Sequence, residues 1–296
     1  MPLSNSARAD LVLVLVTLLA AAGWIFSKEA LQGLPPLLFI GIRFVLAGLV
    51  LLLVGRAKWH WLRRADLLPR ALLLGAVMAM AILTWIQGLD KGQHLGEGAF
   101  ITSLGVVLVP VTAWLIYGER ASGNTLVALP VAVAGLALLS LNGGFNTDPG
   151  QLYFLAAALL FSLHFTLMAH LACAMPAVIL AAIQLLMVGS INGLVSVFIE
   201  PWPEAVEAGI WGWLLASALI ATSLRFTLQT YGQGLAPASH AALIMILEPV
   251  WTALLAAFWF AEQMTAQQLL GCGLIFGAML ISRWRWVRGL VIKRAS

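Results

Sequence analysis

One carboxylate, Glu248, lies in the middle of the apolar stretch 239–263 and directly precedes Pro249. An ionised group at mid-membrane depth is costly and faces a protein interior or a water-filled cavity, so it reads as functional. Pro249 has no N–H and its ring clashes one turn back, which predicts a kink and freed carbonyls beside the acid. Arg225, in the apolar segment Ser223–Gln229, keeps its charge at physiological pH and needs a carboxylate, carbonyls or water. Glu248 is the interior partner available to it. The two form either a buried structural pair or a cavity-facing pair that opens to bind a zwitterion, and the sequence leaves both open. Burial and a neighbouring arginine act on a carboxylate's proton affinity in opposite senses. Proton coupling at Glu248 is therefore open as well.

Other interior polar residues extend the list. Arg43 stands eight residues past Pro35, deep enough to strain snorkelling, and reads as ligand-facing or salt-bridged ahead of purely structural. His164 aligns with Trp24 at a spacing of 140 residues, which makes a cavity position for either an expectation beside ordinary packing. Trp24 and Trp85 could stack on a flat ligand or simply fill the core. Gln87, Thr102, Gln184 and Gln229, with Thr84, Ser103 and Asn192, are polar groups inside apolar segments. Most such groups bond to neighbouring helices for modest gain; some must line any cavity. His240 reads as interfacial. Gly189–x–x–x–Gly193 and Gly273–x–x–x–Gly277 permit close helix contact, favouring scaffold packing over a homodimer, which stays open.

The elements that must hold these residues are membrane spans. The chain is 62% hydrophobic and 9% charged, with mean hydropathy +0.99, far from the quarter-charged composition of soluble domains. Cutting at charge, proline and glycine clusters predicts ten spans, at 11–30, 35–55, 70–89, 97–117, 124–142, 150–171, 176–199, 208–232, 238–260 and 264–286. The first continues through Gly23–Phe26 without a small-residue cleavage pattern, so it reads as a retained span rather than a signal peptide. The fold expected is an all-α polytopic membrane protein.

Twelve of the sixteen Lys and Arg residues fall on one side: Arg8, the 56–70 cluster, Arg120 and the 283–294 tail. The positive-inside rule puts that side, and both termini, in the cytoplasm, with an inner-membrane location. Trp59, Trp61, Trp202, Trp211, Trp284 and Trp286 fall where aromatic belts form. A net charge of +4 does not suggest nucleic acid. Cys173 and Cys272 support neither a disulfide framework nor a metal site, and no cofactor motif occurs.

The chain repeats itself. Pro35 and Pro176 are 141 apart, Gln87–Leu89 and Gln233–Leu235 are 146 apart, and Glu119 and Glu262 are 143 apart. Five spans per unit is an odd number, so the second copy (150–286) enters the membrane from the opposite side to the first (11–142). Such inverted repeats underlie alternating access in many secondary transporters. The copies differ at one place: Gly105 stands where Glu248 predicts an acid, and Pro110 falls four residues late.

Leu247–Glu248–Pro249–Val250, Phe260–Ala261–Glu262–Gln263 and Tyr117–Gly118–Glu119–Arg120 resemble motifs of the EamA-type members of the drug/metabolite transporter superfamily. Pro35 with Arg43–Phe44, and Pro176 with Gln184, support the resemblance, which covers residues 11–286. It implies a small-molecule carrier with a central cavity between two five-helix repeats and no ATP site. The departure at Gly105 means that a role for Glu248 is not twofold symmetric.

Rival classes find little support. No Gly-x-Ser-x-Gly or His-Glu-x-x-His motif occurs, and no P-loop. All four aspartates lie in loops or at span ends, so an intramembrane aspartate pair is not available. A membrane-embedded enzyme without a recognisable motif, or an importer of a metabolite such as a vitamin, are the alternatives. The reading favoured is a secondary transporter, outward-directed, for a small polar or zwitterionic molecule.

Overall fold

The computed structural model describes residues 5–91, 95–141, 149–259 and 264–282. Among them the regular structure is helical throughout: α1 (Asn5–Ala30), α2 (Pro36–Val54), α3 (Leu68–Lys91), α4 (Leu95–Tyr117), α5 (Gly123–Ser140), α6 (Gly150–Leu171), α7 (Ala177–Ile199), α8 (Ala208–Ala218), α9 (Arg225–Gln233), α10 (Ala238–Met245), α11 (Glu248–Trp259) and α12 (Ala266–Ser282). A 3₁₀ helix, Arg56–Arg63, joins α2 to α3, and a π-helical turn, Leu219–Leu224, joins α8 to α9. Nine of the described helical runs are long and apolar enough to cross a membrane, counting Ala208–Gln233 and Ala238–Trp259 as one each; Ala266–Ile281 is a shorter apolar helix. The motif residues 260–263 and the basic tail 283–296 lie outside the described residues.

Packing pairs the two halves. α2 lies along α7 and α5 along α12. In the first pair Gly41 meets Gly193, Gly48 meets Leu186 and Gly55 meets Ile179, so the helices run antiparallel. The second pair is antiparallel too: Gly135 meets Ile275, and Gly271 meets Leu139. Further contacts are exchanged between the halves. α6 packs on α3 and α4, while α1 packs on the α8–α9 and α10–α11 runs. Each half thus lays its first helix against the third and fourth runs of the other.

Small residues set these distances. A methyl on Gly189 would stand 2.5 Å from the backbone nitrogen of Val45, and one on Gly41 would stand 2.7 Å from Gly193 Cα. Backbone cannot give way as a flexible side chain would. Gly273 and Gly277, by contrast, meet nothing within 4 Å among the described residues, and it is Gly271 that approaches Gly135. The expectation for the Gly273–Gly277 pair was therefore wrong in helix phase: the contact face of α12 is turned two residues away. Gly189→Ala is expected to destabilise the protein by about 1–3 kcal/mol through overpacking. Gly273→Ala should raise the melting temperature slightly, because alanine is favoured over glycine by roughly 0.5–1 kcal/mol in a helix with free space. Thermal melts of the two variants in one detergent compare the signs directly.

One long-range cap fixes the α2–α7 pair at the end away from the 3₁₀ helix. Glu200 follows α7 and accepts hydrogen bonds from the N–H groups of Leu37 and Leu38, both at 2.8 Å. Pro35 supplies no side-chain cap to α2, so the carboxylate takes two of its orphan donors, favoured by the helix dipole. Ser196 Oγ donates to the same carboxylate at 2.6 Å.

Candidate functional site

The ninth run is broken where Pro249 predicts. α10 ends at Met245, Ile246 and Leu247 form turns through N–H bonds to Leu243 and Ile244, and α11 begins at Glu248. Proline is tolerated in the first turn of a helix because that N–H has no intrahelical acceptor, and a carboxylate there faces the positive end of the dipole. In the first half α4 runs unbroken through Pro110. Gly105 has a different use there: a methyl on it would stand 2.7 Å from the Ala158 carbonyl of α6, so it serves close crossing.

The eighth run is interrupted as well, immediately before Arg225. In the π turn Thr222 Oγ1 donates to Ser217 O and Ser223 Oγ to Ala218 O, both at 2.9 Å and both five residues back. π turns occur mostly as single bulges, frequently at functional sites. This one lies against α1, where a methyl on Gly23 would stand 2.7 Å from Ala221 Cβ. Two broken runs therefore present Arg225 and Glu248 to each other and to α1.

Arg225 Nη2 stands 3.4 Å from Glu248 Oε2. Trp24 Nε1 donates to the other oxygen, Oε1, at 3.2 Å. Both contacts are long for a charge-assisted bond, and the two side chains keep 17% and 25% of their surface exposed. Arg225 Nε is buried and without a partner among the described residues. The pair is loose, with donor capacity to spare. Trp24 meets Trp85 edge to face, with ring centroids 6.0 Å apart.

Arg43 is held differently. Its Nε donates to Thr222 Oγ1 at 2.5 Å, Nη1 to Ser27 Oγ at 2.9 Å and Nη2 to Ala221 O at 3.4 Å. The rings of Phe39 and Phe44 lie 5.5 and 5.4 Å from the guanidinium. Ser27 and Thr222 each spend their own proton on a carbonyl, of Gly23 and Ser217, and offer only lone pairs to the arginine. No carboxylate lies within ion-pair distance of Arg43 among the described residues; of its two expected roles, salt-bridged or ligand-facing, the first is replaced here by neutral acceptors. Arg43 and Arg225 are close enough to repel. At their ordinary charges Arg43, Arg225 and Glu248 together carry one net positive charge.

His164 is buried and its Nε2 lies 2.7 Å from Gln184 Oε1, which requires the ring proton on Nε2. Gln184 Nε2 donates to Leu180 O. Gln184 follows Arg43 by 141 residues, so the same position of each half ties its second helix to its first, once through a cation and once through an amide. His164 faces a bonded neighbour here rather than open space. Gln87 is half-buried on α3, two residues past Trp85. Thr102 Oγ1 and Gln229 Oε1 are buried without partners among the described residues. Among the described residues no hydrogen bond joins these three to the Arg225–Glu248 pair. His240 bonds Asp10 at 2.9 Å between α10 and α1.

Sequence reasoning missed several neighbours. Ser27 and Thr222, which hold Arg43, look like any small polar residue in a span. Trp213 meets Phe26 at 6.0 Å and Trp259 at 6.4 Å, adding aromatics from α8 and α11. Gln233 continues the Arg225–Gln229 face of α9 by one more turn, with both amide atoms buried and without partners among the described residues. That spacing of four residues was present in the sequence and could have been read.

The EamA-like transporter family matches the chain twice, over residues 7–141 and 148–284. This chain belongs to the EamA-like transporter family. Its family forms part of the drug/metabolite transporter superfamily, and the first matched segment covers α1–α5, the second α6–α12. The uncharacterized transporter YvbV of Bacillus subtilis (strain 168) is 28% identical over 281 residues, covering 90% of this chain and 89% of that protein. An uncharacterized transporter of Archaeoglobus fulgidus is 29% identical over 273 residues, covering 92% and 85%. One solved crystal structure superposes with a TM-score of 0.81 over 93% of this chain and 96% of that one; at 19% identity it shows likeness of fold alone. An EamA-like chain with these apolar helices is a multi-pass membrane transporter, which points to transport rather than catalysis.

Proposed function

We propose that this EamA-like protein is a secondary carrier of ten spans, arranged as two inverted five-helix halves, with both termini cytoplasmic in an inner membrane. It exports a small polar or zwitterionic metabolite, amino-acid-like or amino-acid-derived, by alternating access. The observation that carries the reading is the loose Arg225–Glu248 pair with Trp24 at its edge. A carboxylate of the cargo would take the free donors of Arg225, an ammonium would take Glu248, and the remainder would lie against Trp24 and Trp85. The antiparallel pairing of α2 with α7 and α5 with α12 supports the inverted arrangement.

Burial supports an asymmetry between the two ends. From Ala238 to Leu247 every residue except His240 is buried, whereas Trp251, Thr252 and Trp259 beyond Glu248 keep exposed surface. This difference in burial supports a site reached from the α11 end and closed toward α10. The unpartnered faces of Arg225, Gln229 and Gln233 run the other way, toward the α10 end. Buried polar atoms without partners cost about 1–3 kcal/mol each. Water or cargo passing along α9 in the opposite conformation would satisfy them.

The test is reconstitution. Sealed vesicles holding the purified protein, loaded with a mixture of labelled amino acids and related zwitterions, should release a subset faster than protein-free vesicles. Chemical conversion of any of them by the protein in detergent would favour the enzyme alternative instead. Proton coupling at Glu248 predicts that release slows when an ionophore collapses the pH gradient; a rate independent of every gradient would remove coupling.

A further inference from the structure

A groove at the basic end shares α9 with Arg225 but is lined by other side chains. The 3₁₀ helix Arg56–Arg63 has no buried residue and carries Arg56, Lys58 and Arg63, with Arg64 next in sequence. Trp59 pins it to the end of α2 by donating to Leu52 O at 2.8 Å. Asp66, the only acid between α2 and α3, is already engaged. Its two oxygens take Arg64 Nε and Nη2 at 3.0 and 2.9 Å, and that guanidinium holds the carboxyl below its usual range. Arg56, Lys58 and Arg63 have no such neighbour on this segment.

Lys58 also lines a groove of about 540 Å³ that continues away from the basic helix. Its further walls are Val178 of α7 and Thr227, Leu228 and Tyr231 of α9. Tyr231 is 44% exposed, and Leu224 and Ile220, two and three turns back along the same run, are exposed apolar residues facing outward. The groove thus carries a cation from Lys58 and a hydroxyl from Tyr231 on walls that are otherwise largely apolar. Neither a soluble anion nor a bare acyl chain matches both features.

We propose that this groove binds one anionic phospholipid of the leaflet at the basic end, its phosphate between Lys58 and Tyr231 and its acyl chain along Val178 and Leu228. Charge complementarity selects the headgroup: basic pockets between spans on this side of a membrane suit anionic lipids, and each cation near the surface contributes a defined increment. The inference is independent of the cargo and of the direction of transport.

Native mass spectrometry of the detergent-purified protein tests it, with phosphatidylglycerol and phosphatidylcholine of identical chains as probes. One phosphatidylglycerol should be retained at least fivefold more readily than phosphatidylcholine. Lys58→Glu should abolish that preference, while Arg63→Ala, outside the groove, should leave it. Equal loss in both variants would mean a diffuse basic surface and would overturn the groove. Equal retention of the two lipids, or displacement of phosphatidylglycerol by free glycerol phosphate at matched concentration, would overturn it as well. Lys58 is exposed, so an unchanged melting temperature of Lys58→Glu in the absence of lipid checks that the variant is folded.

Discussion

Glu248→Gln is expected to weaken cargo binding about a hundredfold and to slow transport at low cargo concentration by a similar factor. The amide keeps the size of the side chain and can still accept from Trp24, so the change removes charge and little else. Arg225 and Arg43 are then left without a counter-charge. Truncating one partner of a buried charge pair typically costs about 2–5 kcal/mol, and the partial exposure of this pair argues for the lower part of that range. Arg225→Met should be equally damaging, and both single variants should melt at lower temperature than the parent. The double variant Arg225→Met/Glu248→Met separates the two roles. Replacing a whole buried pair by apolar residues of similar volume is often neutral or stabilising, so its melting temperature should recover while transport stays lost. Recovery of both stability and transport in binding and flux assays would make the pair structural only.

Arg43→Met is expected to do the opposite to stability. Burying a guanidinium costs several kcal/mol, and at this site the cost is offset only by three hydrogen bonds to neutral acceptors and two ring faces. Ser27 and Thr222 lose an incoming donor but keep their own protons on the carbonyls of Gly23 and Ser217, so no donor is stranded. Repulsion from Arg225 is relieved at the same time. The melting temperature should hold or rise. Transport of a carboxylate-bearing cargo should nevertheless fall about tenfold, because attraction between unit charges across such a pocket, at an effective dielectric near 20, is on the order of 1–2 kcal/mol. Loss of folding on this substitution would assign Arg43 to the scaffold, and unchanged transport would remove its electrostatic contribution to the pocket.

What could be read from the sequence were features with a local cause. Apolar segments of the right length, punctuated by charge and proline, gave the spans; Glu248 beside Pro249 announced both the acid and the break that begins α11. Features produced by distant parts of the chain were not legible. Glu200 caps α2 across a separation of 163 residues, and nothing near Pro35 points to it. The π turn depends on hydroxyls taking carbonyls five residues back, and Thr222–Ser223 has the same composition as many ordinary helical turns. Helix phase was also out of reach: Gly271, Gly273 and Gly277 are equivalent as letters, and only packing against α5 decides that Gly271 is at the contact. The difference between halves at Gly105 was visible, but its use against Ala158 was not.

The most direct measurement is access to the pocket wall from each side of the membrane. Thr252 lies one turn past Glu248 and, among the described residues, its hydroxyl bonds only the Glu248 carbonyl, so Thr252→Cys in a Cys173→Ser/Cys272→Ala background changes little else. Sealed vesicles in either orientation would be treated with a membrane-impermeant thiol reagent, with and without transported zwitterion. Alternating access around Arg225 and Glu248 predicts labelling from both faces, with the cargo slowing it from each. Labelling confined to one face under every condition, or unaffected by a molecule that the protein demonstrably moves, would contradict it.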